Sequence, residues 1–283
     1  MTPAQASELL DKYVEVNNKA NATRDAALLG TVEGGQLYEQ SKADYKLFKT
    51  KSAKDQRDYA SPFFYKKRAY FMPAGEPWFV VGAQSTGSKE WALLTFEKED
   101  GKWKVVMGVY SPDALPAIDV SNHGLATALP ASAPVGGMAP DAVSDAYEDL
   151  FVSGGKHGGN QLATTEPTKA AREYYRERNS GKNAKMATTT YKMVPAKHDK
   201  TYALKLKNDG AIAMFPTAHT SAFALKSAFL YNYKIDPDKE ESVYNSTSRP
   251  AVLNEYQGQG LAELTKTGKP KVQSREYRLV DSR

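Results

Sequence analysis

Cysteine is absent from the 283 residues. That excludes disulfides, thiolate metal sites and cysteine nucleophiles. Histidine is scarce. His123, His157, His198 and His219 are the four, and none lies four residues from another or in a His-Glu-x-x-His pattern. The usual helical spacing for a zinc-bound hydrolytic centre is therefore missing. No apolar run approaches the roughly 18 residues of a bilayer span. Met1-Thr2-Pro3 opens directly into a helical pattern rather than a signal peptide, so an export signal or lipid anchor is expected upstream of Met1. There is no Gly-x-Ser-x-Gly nucleophile elbow. The glycines of 154–159 follow a helical pattern and lack the Gly-Lys-Ser/Thr ending of a phosphate loop.

Charge is not concentrated either. The net charge is +5, and the basic excess is densest at Lys49, Lys51 and Lys54, at Arg172, Arg176 and Arg178, and at Lys266, Lys269 and Lys271. Nucleic-acid binders gather such charge on one face, so no specific nucleic-acid partner is expected. A weak anionic partner, such as a cell-wall polymer or lipid headgroups, is the class this charge would suit.

What is present is ordinary globular composition, 41% hydrophobic and 25% charged, with 17 tyrosines. Aromatic residues favour a pleated, half-buried surface, which leans the reading towards sheets. Thr2, Pro3 and Gln5 make a helix start with a capping box. Ala6, Leu9, Leu10, Tyr13 and Val14 then fall on one helical face. Leu37, Tyr38, Ser41, Tyr45 and Phe48 indicate a second helix. Strands are expected at 63–71, 78–83, 91–96 and 103–110, and Asp100-Gly101 between the last two is a hairpin signal. Ala92, Leu94 and Phe96 would share one face with Trp103, Val105, Met107 and Val109, leaving a wetter face with Thr95, Glu97 and Lys104. Leu9, Leu10, Tyr13, Leu94, Phe96, Trp103, Val105 and Met107 are expected to form one core.

Prolines 112, 116, 130, 134 and 140 follow, with small residues over 126–133. The pattern then restarts: a helix from Asp141 with Val143, Ala146, Tyr147, Leu150 and Phe151, a glycine break, and a helix over 165–178 with Ala170, Ala171, Tyr174 and Tyr175 inward. Strands are expected at 186–194, 201–206, 211–218 and 222–233, and a last hairpin joins 252–264 to 272–280. The expected architecture is α+β: two tandem lobes, each a curved antiparallel sheet packed on helices, in the manner of cystatin-like or NTF2-like folds. The boundaries are 1–127 for the first lobe, 128–139 for a Pro/Gly/Ala linker and 140–283 for the second lobe.

The order of particular residues resembles a family. Trp78-Phe79-Val80-Val81, the strand over 91–96, Gly101-Lys102-Trp103-Lys104-Val105-Val106 and Leu115-Pro116-Ala117-Ile118 follow a helix containing Asn17-Asn18-Lys19-Ala20-Asn21. The series resembles the extracytoplasmic region of uncharacterised actinobacterial lipoproteins and membrane proteins, grouped as a domain of unknown function. The resemblance implies an extracytoplasmic, lipid- or membrane-anchored protein, and carries no activity. The chain departs from that family in its richness in lysine and in lacking the lipidated cysteine.

No catalytic, cofactor-binding or metal-binding residue is assigned from the sequence, and no cofactor is expected. His219, beside Thr220 and Ser221 in a strand-rich region, reads as a structural histidine. His219 and His198 are each expected to lack a partner carboxylate within a concave pocket; finding one would favour an enzyme. Asp44, Asp55, Asp58 and Glu76 read as surface charges, and Tyr13, Tyr45, Tyr59, Tyr65 and Tyr70 as core or pocket lining. Asp236, Asp238, Glu240 and Glu241 crowd six residues but lack the glycine and the terminal glutamate of a calcium loop. The expected function is a non-enzymatic binding or scaffold module at the cell envelope, partnered by an envelope protein or polymer. The rival is a small-molecule-binding or hydrolytic NTF2-like enzyme with an aromatic pocket. A deep pocket holding groups of shifted pKa would favour the rival, and an exposed apolar groove between the lobes the scaffold.

Overall fold

The first helix starts where its caps place it. In the computed structural model, which describes residues 1–112 and 114–283, α1 runs Pro3–Thr23, with Gln5 N donating to Thr2 Oγ1 and Thr2 N to Gln5 Oε1. It stops at Arg24, which turns left-handed at φ 57°. One helical turn, α2 Ala26–Leu29, precedes α3 Gly35–Leu47 and α4 Ala53–Ala60. Strands β1 Tyr65–Phe71, β2 Trp78–Ser85, β3 Trp91–Glu99 and β4 Lys102–Ser111 then form an antiparallel meander in the order 1-2-3-4. Asp100 and Gly101 have φ 47° and 78°, the paired left-handed conformation that a tight hairpin requires.

The second half is also α+β. Helices α5 Ala142–Val152 and α6 Glu166–Glu177 precede β5 Ala187–Met193, β6 Tyr202–Lys205 and β7 Ala211–Leu225. The short α7 Glu241–Tyr244 leads into β8 Ala251–Leu264 and β9 Lys271–Ser282. The sheet order is β5-β7-β8-β9, with β6 pairing the other half of the same edge of β7. One expectation fails here. Residues 211–225 are one continuous strand, although Pro216 interrupts the donor pattern. The expected strand over 222–233 ends at Leu225, and Tyr231 and Tyr233 stand exposed in the turns beyond.

The two sheets pack face to face, giving four layers: helices, sheet, sheet, helices. One core lies between α1 and the first sheet, with Leu10, Tyr13, Phe79, Phe96 and Val105. A second fills the space between the sheets, where Trp78, Leu93, Met107 and Val109 meet Leu204, Ile212, Met214 and Leu261. A third lies between the second sheet and α5–α6, with Tyr147, Leu150, Phe215 and Leu264.

The expected wetter face of the first sheet is therefore the face buried against the second. Thr95 is fully buried, its hydroxyl 3.8 Å from Met214 Sδ, and Glu97 accepts a hydrogen bond from Tyr202. A bulge explains the misplaced side chains. Phe96 pairs with Val105 and Thr95 with Met107, leaving Val106 unpaired. One extra residue reverses the alternation. Trp103 and Val105 face the helices, whereas Met107 and Val109 face the second sheet.

The segment after β4 runs along β6. Ile118 bridges Leu206 and Ala128 bridges Leu204, while Ala126 N donates to Met72 O at 3.1 Å. Helix α3 ties the halves together on the other side. Gln36 Nε2 donates to Gln257 Oε1 at 2.9 Å and Gly258 O at 3.0 Å, and Gln40 Nε2 to Glu276 O at 3.1 Å. Its first residue, Gly35, sits at φ 52° so close to β4 that a Cβ would lie 2.8 Å from that of Val106.

Candidate ligand-binding site

Helix α5 is buried almost all round: Val143, Ala146 and Tyr147 through Phe151 are covered. It therefore carries Glu148 into the interior, and a buried carboxylate needs partners. Strand β7 supplies two of them, because Thr217 and His219 point the same way from alternate positions. Glu148 Oε1 accepts from the Thr217 hydroxyl and from the Tyr277 phenol of β9, and Glu148 Oε2 lies 2.9 Å from His219 Nδ1. His219 is 5% exposed and Glu148 2%. Burial raises the Tyr277 phenol well above its usual range, and the Glu148 charge adds to it, so Tyr277 stays a donor.

Rings close around the imidazole. Phe151 stacks on His219 with centroids 4.9 Å apart, and Tyr277, Tyr256 and Tyr191 stand at 4.8, 5.2 and 5.7 Å. These rings, Tyr174 of α6, Ser221 and Arg275 line an open cavity of about 210 Å³. With Nδ1 turned to Glu148, Nε2 has no hydrogen-bond partner among the described residues and is left for whatever enters. The pair orients the ring and leaves Nε2 facing an apolar cavity that the Arg275 guanidinium also lines.

The expectation that His219 lacks a carboxylate within a concave pocket is overturned by this geometry. His198 also faces a carboxylate, with Nε2 3.9 Å from Glu39 Oε1, and lines a cleft of about 210 Å³ together with Lys197 and Lys200. Its ring is about half exposed. His123 occupies a left-handed turn position.

The glycine-rich loop is occupied by its own chain. The Asp149 carboxylate accepts the amides of His157, Gly158 and Gly159 at 2.9–3.0 Å. Burial raises that carboxyl, but these amides and Ser153 outweigh it and hold the pKa at about 2. Asp238 caps a turn through the amides of Glu240 and Glu241. Among the described residues, no three His, Asp or Glu side chains converge as metal ligands.

A second cavity, of about 250 Å³, opens in the first half and reaches strands β8 and β9. Of the residues singled out in the sequence, it gathers Tyr13, Tyr59, Tyr65 and Asp44. Tyr45 stands beside it, donating to Asn21 Oδ1 at 2.7 Å. Asp44 is not a surface charge: it is buried and accepts from Arg278 Nε at 2.8 Å. Asp55 and Asp58 are exposed partners of Ser52 and Lys54, and Glu76 accepts from Trp78 Nε1. Tyr70 packs on the first core.

The family model described as Domain of unknown function (DUF8094) matches residues 1–283. The chain belongs to this family. The uncharacterized lipoprotein SCO6871 of Streptomyces coelicolor is 29% identical to this DUF8094 chain over 260 residues, covering 86% of the chain and 71% of the relative. No solved structure matches it. The Trp-Lys-Val-Val strand and Leu-Pro-Ala segment thus pointed to an uncharacterised lipoprotein-like domain, and α+β with two antiparallel sheets is what the DUF8094 chain shows.

Sequence reasoning passed over Glu148 and Glu33. Glu148 left a faint signal: with Asp149 it stands between the apolar Ala146-Tyr147 and Leu150-Phe151 of α5. Glu33, in the turn before Gly34-Gly35, follows no period and left none.

Proposed function

We propose that this protein is an extracytoplasmic binding module, held at the envelope by a lipid anchor as its lipoprotein relative's name implies, and that the pocket over His219 and Glu148 receives a small planar ring carrying an acid group. One observation carries the reading: a buried histidine, fixed through Nδ1, presents inside a ring-lined cavity an Nε2 that has no partner among the described residues. The rings supply stacking surface. Nε2 accepts an N–H or O–H of the ligand, and Arg275 meets its acid group. A cavity of about 210 Å³ has room for one substituted ring, since about 150 Å³ accommodates benzene. No helix among the described residues is long and apolar enough to cross a membrane, so the anchor belongs to the proposal and not to the fold.

The apolar surface between the sheets is buried, so the reading rests on this pocket and not on an interlobe groove. Binding without turnover is preferred because Ser221, a β7 hydroxyl that lines the same pocket, makes no hydrogen bond with His219. Its place in the same pocket favours ester hydrolysis as the second reading.

Calorimetric titration with 4-hydroxybenzoate tests the first reading. The wild type is expected to bind it more tightly than benzoate, which lacks the hydroxyl, and His219→Gln to weaken binding about tenfold, the loss of one hydrogen bond. No binding of either acid, or equal binding by His219→Gln, would sink the proposal. Release of 4-nitrophenolate from its acetate ester by the wild type but not by Ser221→Ala would select the hydrolytic reading.

A further inference from the structure

The first-half cavity is a second and different site. Its upper wall is a relay of side chains in register: Tyr45 donates to Asn21 Oδ1 at 2.7 Å, Asn21 Nδ2 to Asn17 Oδ1 at 2.7 Å, and Asn17 Nδ2 to Glu33 Oε1 at 2.9 Å. Tyr13 donates to the same oxygen at 3.1 Å. All four bonds point one way and end on one carboxylate. Glu33 is 1% exposed, and its other oxygen, Oε2, has no hydrogen-bond partner among the described residues.

The remaining charges do not serve it. Asp44 and Glu276 share Arg278, at 2.8 and 3.5 Å, and Asp44 also takes Lys51 at 3.0 Å. The phenols facing Glu33, those of Tyr13, Tyr65 and Tyr110, are all raised by burial and stay neutral. Burial likewise raises Tyr45, which also feels Glu33, and Tyr59, beside Asp44. Among the described residues Glu33 is thus the one carboxylate lining the cavity without a cation, and the neutral Ser41 hydroxyl beside it does not balance a buried charge. What it lacks is a charged donor of small size.

We infer that this cavity binds a small ammonium-bearing molecule, its N–H donated to Glu33 Oε2 and its polar remainder held by the Asn, Gln and Tyr side chains of the walls. The site is independent of the aromatic pocket, and its tests use different ligands. Without a ligand, burial pushes Glu33 up to about 7, against the Ser41 hydroxyl beside it and the hydrogen bonds from Tyr13 and Asn17, which pull it down. An ammonium group would favour the charged form, so binding should expel the proton.

The experiment is calorimetric titration of the full chain with ethanolamine, putrescine and glucosamine, each beside its neutral counterpart: ethylene glycol, 1,4-butanediol and glucose. At least one amine is expected to bind at pH 8 and its counterpart at least about tenfold more weakly. Its affinity should rise about tenfold from pH 6 to pH 8, because the ionised fraction of a group titrating near 7 rises by that factor. Repeating the titration at pH 6.5 in two buffers of different ionisation enthalpy should show proton release. Glu33→Gln, checked for native near-ultraviolet circular dichroism, should lose the binding. Silence from all three amines, a flat pH profile without proton release, or undiminished binding by a folded Glu33→Gln would each overturn the assignment.

Discussion

Glu33 leaves a mark on stability as well as on binding. Its carboxyl titrates near 7 in the folded chain against an ordinary value of 4.5. Between these limits the folded protein holds a proton that the unfolded chain gives up. The contribution of this group to stability is complete below about pH 4.5 and is lost as pH rises through 7, by about 3 kcal/mol for a shift of that size. Glu33→Gln keeps the acceptor for Tyr13 and Asn17 but cannot ionise, so urea unfolding at pH 5 and pH 8 should show a smaller loss in the variant than in the wild type. An identical loss in both would refute the role of Glu33. At this scale the sequence was a poor guide. His219 stood out because histidines are few, yet its partner lies 71 residues away on a helix. Nothing in a sequence pairs two such residues until a strand and a helix are packed together.

At the scale of elements the sequence was more telling where the signal is local. The capping box at Thr2 and Gln5, the Asp100-Gly101 turn and the last hairpin lie where expected, since each is fixed by a few adjacent residues. The bulge at Val106 was not legible, because nothing in Lys-Val-Val-Met marks which valine loses its partner. Its consequence is measurable. Trp103 is only partly buried, edge-on to Phe79 at 5.2 Å, whereas Phe96 is 2% exposed and stacked on Phe79 at 4.8 Å. Phe96→Ala should cost about 3–5 kcal/mol, the range for a fully buried ring, and Trp103→Ala about 2 kcal/mol. Denaturant unfolding of both variants checks the order; a larger loss for Trp103 would place that ring at the centre of the core instead.

At the scale of the whole molecule, the halves 1–127 and 140–283 are proposed as structural repeats of design that do not stand alone. Each sheet has two apolar faces, and one face of each is covered by the other sheet. Pulling them apart would expose Phe71, Trp78, Val80, Leu93, Met107 and Val109 on one side, and Tyr202, Leu204, Ile212, Met214 and Leu261 on the other. At about 1.5–3 kcal/mol for each large apolar side chain, the loss exceeds 15 kcal/mol, beyond the roughly 5–15 kcal/mol that keeps a domain folded. The Gln36 and Gln40 bonds to β8 and β9, and the strand-like pairing of Ile118 and Ala128 with β6, add polar ties on either side. The full chain should therefore melt in one cooperative transition, with calorimetric and van't Hoff enthalpies equal. The fragment 1–127 expressed alone should lack dispersed amide resonances and should bind a hydrophobic dye. Two separate calorimetric transitions, or a folded and monomeric 1–127, would show instead that the surface between the sheets is a docking contact between autonomous domains, and that the face of the first sheet bearing Leu93 and Met107 tolerates water.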